Sequence, residues 1–372
     1  MQLCLVVLVA SQLQAQTRCE KQKLPSSLQW VSSMEVLKDG SQVALADPVT
    51  GSLWRFNFEG HKMEHLPMDR RIRSITGLDG DGLFAECTDT EAILLSSEFE
   101  VQKPVGLRNR GLAEPTGLGS IYTGWAAHDS YFIGAGTRRN SGLDLTNPEL
   151  PYAVRHGFQT GFLTGRIDTN TGTITEVDLL ANVQMVYPNY FLLGYRYFTG
   201  NDKGLFFVDM QPPKASLYSL RPGEKMATQL ELPLPESLIG VQPIQEDRSA
   251  HPAARALNAI ESESMIAGLY SASNHLLVVT REPDVGTSTK WLVYPINLAD
   301  PETSIEPLRL PTNAPQLSLA VSDRFLYGLE RSSVDASGDQ EIGPLFRVPT
   351  TWLLDSQDSP LNASSPKVLA CK

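Results

Sequence analysis

Six times along the 372 residues, a short run rich in Val, Ile, Leu, Tyr and Phe ends in a charged residue, turns, and is followed by a second apolar run, of the type Gly-x-Leu-x-x-Φ in most copies. The copies are Val43–Asp47 before Gly51–Phe56, Leu83–Asp89 before Glu91–Leu95, and Tyr131–Arg138 before Gly161–Ile167. Leu205–Asp209 before Lys214–Leu220, Leu276–Arg281 before Lys290–Ile296, and Phe325–Arg331 before Gly343–Val348 complete the set. Gly, Pro, Asp and Asn punctuate them, which is the signature of short strands and tight turns. Long amphipathic helical patterns are scarce, and Pro252–Ile260 is the one stretch that invites a helix. Each pair is followed by a polar turn and a further short strand, such as Thr173–Leu179 or Ser304–Leu310.

Four strands per unit and six units predict an all-β fold, a six-bladed β-propeller with four antiparallel strands per blade. Radial closure buries each sheet against its neighbours and leaves only short edges exposed. The residues closing the second strands are spaced 42, 49, 71, 72 and 50 apart, so length variation falls in loops, as a repeat scaffold requires. A different cut of residues 183–233 would give five or seven blades. With 41% hydrophobic residues the chain can build the core this demands.

The strand ends Thr50–Arg55 and Arg166–Gly172 resemble those of six-bladed propellers of the NHL/TolB-like type, over nearly the whole chain beyond the N-terminus. That resemblance implies closure by joining N- and C-terminal strands within one blade. It does not imply a chemistry, because the superfamily holds scaffolds, binding proteins and some enzymes. Its lactonases keep a calcium ion in the central channel, and Glu35, Asn189 and Asn258 are the residues here that could contribute to one.

The N-terminus reads as an export signal. Leu3–Ala10 is an eight-residue apolar run, and Leu13 and Ala15 fit a signal-peptidase site, so residues 1–15 are expected to be removed and 16–372 to form a single propeller domain. No positively charged segment precedes the run, and a buried N-terminal strand is the alternative. The run is too short to span a membrane, for which about 20 apolar residues are needed. A secreted or periplasmic location and no membrane insertion follow as expectations. Beyond Cys4, the cysteines are Cys19, Cys87 and Cys371. Two of these lie near the chain ends, and in an oxidising compartment that placement predicts a Cys19–Cys371 disulfide, with Cys87 a buried thiol. Three free thiols in a reducing compartment are the alternative.

A net charge of −11 makes nucleic acid and anionic membranes poor partners. Against that background, Arg138, Arg139, Arg155 and Arg166 form a local basic exception. The long inserts between second and third strands, together with the connections between blades, fall on one face of a propeller, the top, where loops on a rigid scaffold do the recognising. The second strands close on Asp47, Asp89, Arg138, Asp209, Arg281 and Arg331. Read structurally, these residues cap turns or pair between blades. Read functionally, Arg138, Arg281 and Arg331, with Arg139, Arg155 and His156, receive an anionic ligand, for which the planar guanidinium is suited.

No Gly-x-Ser-x-Gly elbow is present. Asp79–Gly82 resembles the start of a calcium loop but lacks its later ligands, and His61 and His65 sit four apart on a turn and outer strand, about 13 Å from one another if extended. No metal site and no cofactor are therefore expected. The function expected is that of an exported monomeric binding module, without catalysis, for a protein, peptide or anionic saccharide on its top face. The alternative is a propeller hydrolase or lactonase using a channel calcium, or His156 as general base.

Overall fold

The structure is a computed structural model that describes residues 19–28, 30–37, 40–78, 82–88, 91–106, 118–128, 131–139, 158–168, 170, 173–183, 196–210, 215–231, 264–283, 288–300, 306–332, 341–355 and 371. Residues 1–15 and the candidate helix Pro252–Ile260 lie outside them.

The strands group into six four-stranded antiparallel sheets. After β1 (Glu20–Gln22), blade 1 holds β2 (Ser33–Leu37), β3 (Gln42–Asp47), β4 (Ser52–Asn57) and β5 (Lys62–Pro67). Blade 2 holds β6 (Ser74–Gly77), β7 (Leu83–Thr88), β8 (Glu91–Leu95) and β9 (Val101–Gly106). Blade 3 is longer, with β10 (Leu118–His128), β11 (Tyr131–Arg139), β12 (Phe158–Asp168) and β13 (Thr173–Leu179). Blade 4 holds β14 (Phe198–Asn201), β15 (Gly204–Asp209), β16 (Ser216–Leu220) and β17 (Thr228–Leu230). Blade 5 holds β18 (Met265–Ala272), β19 (His275–Pro283), β20 (Thr289–Asn297) and β21 (Leu308–Arg309). Blade 6 takes β22 (Gln316–Val321), β23 (Phe325–Arg331) and β24 (Ile342–Pro349), and its fourth strand is β1. The chain is a six-bladed β-propeller.

Burial explains the strand sequences. Val43 through Asp47 of β3 are all buried, because a middle strand is covered by neighbouring blades on both faces and so reads as a nearly continuous apolar run. The outer β5, Lys-Met-Glu-His-Leu-Pro, alternates toward solvent. Seams between blades are the core. Leu45, Trp54 and Phe56 of blade 1 pack on Tyr327, Leu329 and Leu345 of blade 6, and Phe84 and Leu94 of blade 2 on Phe132 and Leu163 of blade 3. From blade 3 round to blade 6 the core is continuous through Phe162, Phe207, Leu277, Trp291 and Phe346.

Ring closure has the expected form. Glu20, Lys21 and Gln22 pair antiparallel with Arg347, Phe346 and Leu345, and Cys19 and Cys371 form a disulfide with Cα atoms 4.5 Å apart. Cys87 is buried and takes part in no disulfide among the described residues. Two details depart from the sequence reading. Where a fourth strand was expected after the third strand of blade 6, the chain instead forms a short helix, α1 (Thr350–Asp355), since β1 already occupies that edge. In blade 5 the described outer strand is Leu308–Arg309, preceded by Glu306 and Pro307 outside any strand, and the expected start at Ser304 lies outside the described residues. Pro307 just before it has no N–H to give to a ladder.

Candidate functional site

The first strands of the six blades line the central channel and meet one another in ring order, β2, β6, β10, β14, β18, β22 and back to β2. Blades 1 and 4 are therefore opposite. Across that diameter, Arg196 Nη1 donates to Glu35 Oε2 at 2.6 Å. Glu35 is the third residue of β2 and its side chain is 9% exposed, against 23% for Arg196. Arg196 lies two residues before β14. Its carbonyl accepts from Leu269 N of blade 5 at 2.8 Å, and its Nε donates to Phe198 O at 3.2 Å. The guanidinium also stands 5.9 Å from the Tyr270 ring centre. On its other side the Glu35 carboxyl carbon would sit 3.4 Å from a Cβ at Gly77, so blade 2 approaches it closely only because that residue is glycine. A carboxylate this buried requires a cation or several donors, and Arg196 supplies one from the far side of the ring.

Hydroxyl groups connect neighbouring inner strands beside this pair. Ile75 N donates to Ser33 Oγ at 2.8 Å between blades 2 and 1. Thr199 Oγ1 bonds Ser271 Oγ at 3.2 Å, and Ser271 Oγ donates on to Gly200 O at 2.9 Å, joining blades 4 and 5.

At the upper rim the charged strand-closing residues separate by type. Asp47 is fully buried and its Oδ1 accepts from Val49 N and Thr50 N at 3.0 and 3.2 Å, which caps the β3–β4 turn. Arg281 is 2% exposed and its Nε donates to Pro315 O, the residue before β22. Arg331 is 7% exposed and its Nη1 donates to Val31 O, two residues before β2. Both arginines thus secure the start of the next blade's inner strand. Arg138 and Arg139 close β11, paired in register with Gln159 and Phe158 of β12. Arg155, His156, Asp89, Asn189 and Asn258 lie outside the described residues, as does Asp81.

Other chemical candidates resolve quickly. His61 Nδ1 bonds Gln22 Oε1, whereas His65 Nε2 bonds Ser52 Oγ at 2.8 Å and its ring lies 4.4 Å from that of Trp54. The two histidines thus face different partners, and no group of three or more metal-ligating side chains occurs among the described residues. The Ser52–His65 contact has the distance of a nucleophile and base, but Ser52 is 2% exposed, so its hydroxyl is closed to a substrate. Burial pushes the Tyr294 hydroxyl up to about 12, with Glu282 adding to the effect, and depresses the His275 imidazole. Among the described residues no helix is long and apolar enough to cross a membrane.

Comparison with known proteins supports the architecture. No family model matches the chain, and no curated protein matches it. Among solved structures, the WD40 repeats of RRP9 superpose with a TM-score of 0.51 at 8% identity, covering 89% of this chain and 97% of that one. U3-55K gives 0.50 at 8% identity, with 89% and 98% covered. A luciferin-regenerating enzyme gives 0.48 at 12% identity over 96% of this chain and all of the other. The first two likenesses, at 8% identity, concern the fold alone.

Proposed function

We propose that the chain is an exported binding module, without catalysis, that takes a protein, peptide or anionic saccharide on its top face. The observation that carries this reading is the ion pair across the channel. A propeller hydrolase working through a channel cation needs free carboxylates there. The described carboxylate in that position, Glu35, already faces Arg196 at 2.6 Å, so the described residues do not fit a dication and no step is derived through one. Arg281 and Arg331 bind backbone of the adjoining blade and brace the rim. Ligand contact then falls to the basic stretch that carries Arg138, Arg139, Arg155 and His156, where guanidinium groups can fork onto carboxylate, sulfate or phosphate. The disulfide, which persists in oxidising surroundings, supports secretion or a periplasmic location.

A thermal-shift screen of residues 16–372 tests the reading with uronic acids, sulfated sugars, carboxylates, calcium and EDTA. Saturable stabilisation by an anion, lost on Arg138→Ala, is expected. Stabilisation by calcium that EDTA reverses would instead support the hydrolase. A protein or peptide ligand would leave the small-molecule panel silent and appear in pull-downs from the native medium.

A further inference from the structure

β1 is held unlike any other outer strand. In blades 1 to 5 the fourth strand follows the third through the chain, whereas β1 meets β24 from the opposite end of the sequence. A contact that closes so long a loop carries an entropic cost the local hairpins escape. Three backbone pairs hold it, with Glu20 Oε2 on Arg347 Nε at 2.8 Å and Lys21 Nζ on Glu330 Oε1 at 2.7 Å. The disulfide pins its leading end. From Leu24 onward, the buried side chains of Leu24, Leu28 and Val31 anchor the chain independently. Departure of residues 19–23 once the disulfide is cut would therefore leave the ring intact.

What lies beneath β1 is preformed. Arg347 is sandwiched between Phe58 and Phe325, its guanidinium carbon 4.9 and 4.6 Å from the two ring centres, so its position does not depend on Glu20. Glu20 engages Nε alone, and the buried Nη1 of Arg347 has no acceptor. Nε and Nη1 donate from different edges of the planar guanidinium, so an incoming strand that sets a carboxylate on Nε and a second acceptor on Nη1 would satisfy this group better than Glu20 does. Glu330 offers a second, opposite charge near the same edge.

We propose that the outer edge of blade 6 is a thiol-gated docking site for an extended peptide bearing a carboxylate beside a basic residue, closed in the oxidised chain by β1. The gate opens by exchange with an external dithiol. Its thiolate attacks Sγ of Cys371, the less buried of the two, the S–S bond breaks, and the electron pair leaves on Cys19 Sγ, which takes a proton. The reagent's second thiol resolves the mixed disulfide, giving a Cys371 thiol and an oxidised, cyclic reagent. The incoming peptide then adds as the fourth strand, its backbone on β24 and its carboxylate on Arg347.

The probe is a fluorescent peptide of residues 17–24 carrying Cys19→Ser, titrated into residues 16–372 and read by anisotropy. No saturable binding is expected to the oxidised chain, and saturable binding is expected both after dithiol reduction and in Cys371→Ser. A probe with Glu20→Gln should bind about tenfold more weakly, a change that leaves the folding of the protein untouched. Equal binding to oxidised and reduced chains would overturn the gate. Absence of binding to both opened forms would overturn the site, whether amide exchange of Leu345–Arg347 stays slow because β1 remains or becomes fast because the edge is free. Equal affinity of the Glu20→Gln probe would remove the role given to Arg347. The top-face ligand screen reads a different surface, so either idea can fail alone.

Discussion

The Glu35–Arg196 pair joins residues 161 positions apart, and neither can lose its partner without leaving a charge without its counter-ion in the channel. Truncating one member of a fully buried pair costs about 3–5 kcal/mol, and the partial exposure of Arg196 reduces this to about 1–3 kcal/mol for Glu35→Gln or Arg196→Met. Urea unfolding of both variants and the double variant should show strong coupling, with the double change costing less than the sum of the singles. Additive losses would mean the two groups act separately. A second residue gives a pH dependence. Burial holds the His275 imidazole below its ordinary 6.5, and its Nδ1 is buried without a partner. The unfolded chain thus takes up this proton at higher pH than the folded one. The contribution is complete above about pH 6.5 and is lost as pH falls toward the depressed folded value. His275→Gln should flatten the drop in urea midpoint between pH 7.5 and 5.5 relative to the parent.

At the scale of elements, the turn between β14 and β15 depends on Gly204. Its φ is +137°, and a Cβ there would lie 2.9 Å from Leu220 O, which is backbone and cannot step aside. Gly204→Ala should cost about 1–3 kcal/mol in chemical denaturation while leaving the far-UV spectrum of the rest unchanged. The seam between blades 6 and 1 is tied by Tyr327, whose hydroxyl donates to Gly40 O and is pushed up to about 12 by burial. Tyr327→Phe should cost about 1–2 kcal/mol by leaving that carbonyl without its donor. These elements also show what a sequence can disclose. Second strands such as Val43–Asp47 and Gly204–Asp209 are legible because burial on both faces writes a continuous apolar run between turn residues. Outer strands such as Thr228–Leu230 are too short and too exposed to leave a pattern. The final strand of blade 6 is hidden for a different reason, because it stands at the other end of the chain. Of the channel pair, Glu35 is visible as an acid near a second-strand run. Arg196 carries no local signal, since its role arises from a reach across the ring. The burial of Arg281 and Arg331 likewise comes from the neighbouring blade, which the repeat alone does not display.

For the whole molecule, the closing bond sets both stability and topology. Cutting it by Cys371→Ser releases a cross-link over 352 positions, for which chain-entropy models give about 6 kcal/mol at most, reduced by any structure the unfolded chain retains. A guanidinium titration of the oxidised parent against the variant should show a lower midpoint for the variant. An unchanged midpoint would mean that the packed seam between blades 6 and 1 alone governs unfolding. The same bond has a second consequence. Between Cys19 and Cys371 the polypeptide is a covalent circle. A protease that cuts the circle once, at the exposed Glu59–His61 turn for instance, linearises it and severs nothing. On a gel the nicked protein would keep its full mass until thiol is added, and only then divide in two. With its blades still packed on one another, it would continue to present both faces of the disc after a cut that would separate an open chain into fragments.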